Sequence, residues 1–315
     1  MATTKHRLVK FAIAIAVIAS LAACAGNGSS SPSITGFAIL DNGNSNIAKM
    51  SDFSGSNWDR YGSAGNGVNQ FANIGNIVQD SQGRYYIADA GNDRIVRMND
   101  LNGTGWVSFG TTGSGIGQFQ NPFGLCVDSQ DRIYISETNN SRVVRINDIT
   151  GAGWISFGTN GNGVNQFGSP RAIHVDANFQ IYVVDQINNQ VVRFDDMTGL
   201  NWTTLGATGS GINQFDSPSS ITRGPDGKLY VADSINDRIV RFNDMSGAGW
   251  TTYSGILSDP NKIRFDNQGR IYICNYGTNQ VVRINNMSGS GQTTLGSAGA
   301  GINQFNGPSD ILIRY

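Results

Sequence analysis

Apolar and polar residues alternate over short runs along most of this chain, and the runs recur. Ile133 to Glu137 (IYISE) has period two, a polar turn follows, and Arg142 to Ile146 (RVVRI) is rich in β-branched residues. That spacing predicts two antiparallel strands joined by a tight turn. A lone hairpin keeps one face wet and is marginal in water. The same unit returns as LYVADSINDRIVRFNDMSGAGW from Leu229 to Trp250, and in four less perfect copies. Stacked copies can bury one another's faces.

The register is regular. The residue ending the first hairpin strand is Asp41, Asp89, Glu137, Asp185, Asp233 and Asn275, at four steps of 48 residues and a last one of 42. Five positions on stand Asn46, Arg94, Arg142, Gln190, Arg238 and Gln280. Trp58, Trp106, Trp154, Trp202 and Trp250 keep the period and open a further strand, with Gln292 in the last place. Another strand, marked by Ile77, Leu125, Ile173, Ile221 and Ile263, precedes each later hairpin, and Ile311 marks a sixth at the C-terminus. Four antiparallel strands (a to d) per repeat predict an all-β propeller of six blades. Strand a of the last blade to close, Asp310 to Arg314, then pairs with strand b at the other end of the chain, Phe37 to Asp41, and no strand edge is exposed where the ring meets itself.

The repeat resembles the NHL family over essentially Gly36 to Tyr315. The residues that carry the resemblance are the Pro before strand a (Pro122, Pro170, Pro218, Pro260, Pro308) and IYISE or LYVAD followed by Asn and RVV or RIV. The copy at Ile77 has Ile74 in place of Pro, and the last hairpin has Asn275 and Gln280 for the acid and Arg. The resemblance implies a six-bladed NHL propeller over 36–315. The family includes RNA-binding propellers, and an amidating lyase that shares the fold uses a histidine-bound zinc.

Composition agrees with many turns: 41 Gly and only 14% charged residues in 315. Met1 to Lys10 is short and cationic, and Phe11 to Ala23 is an apolar run too short to span a bilayer but right for a secretory signal. Its end, Leu21-Ala22-Ala23-Cys24, resembles the lipobox of bacterial lipoprotein precursors. That implies a signal peptide over 1–23, acylation of Cys24, and a flexible tether over 24–35. The expected location is the bacterial cell envelope, as an outer-membrane lipoprotein facing the periplasm or the outside. Loss of Lys5, Arg7 and Lys10 with the signal takes the formal charge from −1 to −4. No basic field remains to meet phosphates, so no nucleic acid is expected as partner.

Candidate chemistry is sparse. The acid–Arg pairs Asp89/Arg94, Glu137/Arg142 and Asp233/Arg238 sit where they would lock the b–c turn. The tryptophans are expected to pack against a neighbouring blade. Loops such as Gly113-Ser114-Gly115-Ile116-Gly117 look like phosphate loops, but no helix follows them, and they read as turns. Cys126 and Cys274, in non-equivalent strands, are expected to be free buried thiols. His174 is the one histidine after the signal, so neither a zinc cluster nor a Ser-His-Asp arrangement is expected, and no cofactor.

A functional site should lie where the copies differ. Around the core residue of strand a those positions are Phe123, Arg171, His174, Asn261, Lys262, Arg264 and Asp310, expected to ring one mouth of the central channel on the upper face. Five loops entering strand a share G-x-G-[VI]-x-Q-F, as in Gly161 to Phe167, and the one before Pro260 lacks it and is six residues shorter. The shorter wall should open a notch beside Asn261, Lys262 and Arg264 for an anionic or carboxylate ligand. The competing expectation is a salt link from Asp310 to Lys262 or Arg264. Two functions follow: a monomeric, non-catalytic binding or scaffold module for a protein, peptide or glycan, or a lactonase- or lyase-like channel enzyme holding a divalent cation with Asp310 and Asn76.

Overall fold

A computed structural model describes residues 32–315. The signal segment and Cys24 lie outside the described residues. Six four-stranded antiparallel sheets surround a central channel, each in the order a-b-c-d. Blade 1 joins the two ends of the chain: Pro308–Arg314, Gly36–Asp41, Asn46–Met50 and Asp59–Tyr61. Ile39 stands opposite Ile311, and Phe37 opposite Ile313. Blades 2 to 6 have their a strands at Ile74–Gln79, Pro122–Val127, Pro170–Val175, Pro218–Arg223 and Pro260–Phe265, each followed by its b, c and d strands.

The core is distributed between the blades. Six clusters of buried apolar side chains each draw on two neighbouring blades, for instance Val78, Tyr86 and Ile95 of blade 2 against Leu125, Ile135 and Val144 of blade 3. A sixth cluster joins blades 6 and 1 through Phe37, Ile39, Tyr272 and Val281. Each hairpin thus acquires the second face that it lacks alone. Cys126 and Cys274 are free thiols.

The d–a loops and b–c turns share one face, called upper here. The acids at the ends of the b strands organise it. Glu137 accepts from the Gln120 N–H (3.0 Å) and Asn140 Nδ2 (2.7 Å), and pairs with Arg142. Arg142 in turn donates to the Gln118 carbonyl (2.9 Å) and lies over Trp154, while Phe119 packs 5.3 Å from that indole. The pair is therefore a clamp on the Gly-rich loop rather than a bond within the turn alone. Burial pushes the carboxyls of Asp89, Glu137 and Asp233 above their ordinary values, against the pull of these donors.

The exceptions follow from the loop. Blade 6 has no long loop to hold, and it lacks the acid, the Arg and the Trp together: Asn275 Nδ2 donates to Thr278 and Gln292 accepts from the Tyr253 hydroxyl. In blade 1 Asn46 stands in the Arg place, and Arg60 from strand d takes over. It donates to Asp41 (2.8 Å), Asn46 Oδ1 (2.9 Å) and the Gln304 carbonyl (2.6 Å).

Candidate functional site

The channel is lined by the six a strands. Each has a register shift near its start, as between Pro122 and Gly124, so that one extra residue is turned toward the axis. At the upper end these extra residues close the channel. The Arg171 guanidinium lies 4.2 Å from the centre of the Phe123 ring and donates through Nη2 to Asn261 Oδ1 (3.0 Å). Asn261 Nδ2 donates to the Ser309 carbonyl (3.1 Å), and Ser309 Oγ to the Ile74 carbonyl (2.8 Å). Gly75 is required here, because a Cβ would stand 2.5 Å from the Phe123 carbonyl oxygen. The space left is about 10 Å³, hardly room for one water. Burial lowers the Arg171 pKa, with Asp259 and Tyr276 pulling the other way.

Asp310 lies beneath, sealed from solvent. Its Oδ1 accepts from Arg264 Nε (3.0 Å) and the Ile311 N–H (2.8 Å); its Oδ2 accepts from Arg264 Nη2 (2.7 Å), the Ile77 N–H (2.9 Å) and Asn76 Nδ2. Asn76 Oδ1 accepts from the Leu125 N–H (2.7 Å), and Arg264 Nη2 also donates to the Ile77 carbonyl (2.8 Å). One network thus ties blades 6, 1, 2 and 3. Burial pushes the Asp310 carboxyl up, but Arg264 and Lys262 pull harder and hold it below its ordinary value.

The lower half of the channel opens into a cavity of about 260 Å³. Val78, Leu125, Ile173, Ile221 and Leu312 supply apolar wall, and Gln79, Thr222, His174, Lys262 and Arg264 supply polar groups. Arg264 is 26% exposed although the blades enclose it, so that what it meets is this cavity. His174 Nε2 is buried without a hydrogen bond among the described residues, and burial pushes its pKa down to about 4, so the ring is neutral at pH 7. Lys262 makes neither an ion pair nor a hydrogen bond among the described residues.

Two expectations about placement are corrected. The seven residues do not ring one mouth: Phe123, Arg171 and Asn261 form the upper plug, His174 and Arg264 line the lower cavity, Asp310 is sealed between them, and Lys262 borders both spaces. The register shift is the reason, since alternation read from the sequence assumes an unbroken strand. Nor does the short loop before Pro260 open a notch, because Asn261 and Lys262 remain only 5% and 7% exposed. The Gly-rich loops sit over the outer strands, against Trp and Arg, and their loss uncovers no channel wall; Leu257 tucks into the cluster between blades 5 and 6. The expected salt link forms with Arg264. With every Asp310 oxygen and the Asn76 amide already bonded, neither is free to hold a divalent cation.

Two functional details were not read from the sequence. Gln186 Oε1 accepts from Arg171 Nη1 (3.4 Å), and nothing in the repeat pattern marks it. The replacement of the blade 1 clamp by Arg60 did have a signal, for the other copies carry Ser or Thr two residues after Trp.

Residues 119–146 match the family model described as the NHL repeat. None of the curated proteins matches the chain significantly. Among solved structures, a catalytically inactive virginiamycin B lyase from Staphylococcus aureus, solved with quinupristin, is similar with TM-score 0.56 and 17% identity, covering 79% of this chain and 76% of that one. A chain of a nidogen/laminin complex is similar with TM-score 0.65 and 16% identity, over 82% of this chain and 92% of that one. A protein of unknown function from Bacteroides caccae reaches TM-score 0.64 at 14% identity, over 90% and 99%. At such identities the likeness speaks for fold alone. The chain is a six-bladed β-propeller in which residues 119–146 match the NHL repeat.

Proposed function

We propose that this propeller is a non-catalytic binding module of the bacterial envelope, anchored through Cys24, that presents its upper face to a protein, peptide or glycan. The observation that supports it is a ring of aliphatic side chains with no packing role. Val68, Ile116, Val164, Ile212 and Ile302 occupy one position of the Gly-rich loops and are 66% to 82% exposed. Ile187 and Ile235, in the b–c turns of blades 4 and 5, add to it, and nine of the thirteen exposed large apolar residues among the described ones lie on this face. Apolar groups concentrated on one face mark interaction surfaces. The clamps hold these loops in one shape, so that little ordering is left to oppose association.

Pro32 lies on the opposite face, its carbonyl accepting from Asn267 in a lower turn, so the described chain enters the propeller away from the upper ring. The test is capture from solubilised envelope by the full chain and by a variant with Ile116→Ser, Val164→Ser and Ile212→Ser. Exposed changes of this kind move stability by about 0.5 kcal/mol or less each. Partners retained by the first and lost by the second, at equal Tm, are the expected result. Identical captured sets would remove the ring from the proposal.

A further inference from the structure

Among the described residues the channel holds two cations, Lys262 and Arg264, against one carboxylate, Asp310, which leaves one positive charge in excess. Arg264 and Asp310 match one another, and the carboxylate has no oxygen left to offer. His174 is neutral at pH 7, and the Cys126 and Cys274 thiols are held protonated, their pKa values raised by burial. Lys262 remains as one cation, 93% withdrawn from solvent, bordering a cavity whose wall sets aliphatic side chains beside polar ones. A buried ammonium without a counter-ion is unfavourable, and an anion that enters relieves it.

We propose that the lower channel is a binding site for a small monocarboxylate with a short aliphatic body, its carboxylate on Lys262. The charge count selects a monoanion, because a second negative charge would itself be left unmatched. Thr222 and the His174 ring stand on the same wall beside the head group, and Val78, Leu125, Ile221 and Leu312 receive the body. At about 30 Å³ per water, the volume holds on the order of eight waters, or a small organic acid in their place. The same chemistry is offered by a free acid and by the C-terminal carboxylate of an apolar peptide. This site is separate from the upper ring, and either can fail while the other stands.

Hexanoate, hexanamide, N-acetyl-Gly-Leu, its amide and inorganic phosphate are titrated into the full chain by calorimetry. Saturable binding of hexanoate or the peptide acid, with no binding of the corresponding amide, is expected; the tighter of the two acids identifies the source. Lys262→Met, close in volume, should weaken that binding at least about tenfold, the worth of a hydrogen bond to a charged group. As a check that needs no variant, the Lys262 Cε resonance should titrate at higher pH when the acid is present. Amides that bind as well as acids, phosphate that binds better than either, no binding by any of them, or an unmoved Lys262 titration would each overturn the proposal.

Discussion

Replacing Lys262 with Met should make the empty protein more stable at neutral pH. Burial pushes the Lys262 ammonium down to about 8 from its ordinary 10.5, with Asp310 opposing the shift and Arg264 adding to it. The folded pKa is thus below the unfolded one, so between these values the unfolded chain binds the additional proton. Stability from this group rises with pH across about 8 to 10.5, and below 8 the folded state bears the whole penalty. At 1.36 kcal/mol per pH unit this is about 3 kcal/mol. The side chain is only 7% exposed, so solvent screening does not reduce it appreciably. For a chain of this size, about 2 °C per kcal/mol puts the gain in Tm near 6 °C.

The assay is urea unfolding of wild type and variant at several pH values between 7 and 10.5. Other lysines and the tyrosines titrate in the same range, but they are common to both proteins and cancel in the difference. Among the groups around Lys262, Arg264 and Asp310 stay charged and His174 stays neutral across the window, while the half-buried Cys126 and buried Cys274 thiols are present in both proteins. The advantage of the variant should shrink as pH rises, and vanish near 10.5. A variant less stable at pH 7, or an advantage independent of pH, would refute the argument that the burial of Lys262 outweighs the compensation Asp310 gives it.

The Asp310 network should respond in the opposite sense. Asp310→Asn leaves the Arg264 guanidinium buried without its carboxylate, and a loss of about 3–5 kcal/mol is expected in the same unfolding assay. Because the Asp310 pKa is held below its ordinary value, its stabilisation is present above the unfolded carboxylate pKa and fades as pH falls through the folded one. Wild type should therefore lose its advantage over Asp310→Asn only in strong acid. In blade 1, Arg60→Thr installs the residue type of the other copies and removes four bonds to the loop and hairpin; about 1–3 kcal/mol of destabilisation is expected, with faster amide exchange in Gly299 to Phe305. The equivalent Thr252→Ala in blade 5 should change neither.

Much of the architecture is legible without coordinates. Period-two alternation, β-branched strands and the 48-residue register are local or repeated signals, and they require strands that cover one another in a ring. Closure follows as well, since the first hairpin of the series has a strand b without a preceding a and the last a has no b after it, and the two pair through Ile39 and Ile311. Even the loss of Arg and Trp in the last copy is written in the sequence, although its cause, the missing loop, becomes plain only when the clamp is seen.

The site was decided by the tertiary structure. A one-residue register shift at the head of each a strand turns an extra side chain toward the axis, and no residue pattern announces it. Which charge meets which is settled between residues far apart in sequence: Asp310 is completed by Asn76, 234 residues away, and by Arg264 on the neighbouring blade. Hydrophobic pattern acts through the nearest neighbours and so survives in the sequence. Charge pairing depends on distances across the ring, and the solitary charge of Lys262 exists only because the ring has closed around it.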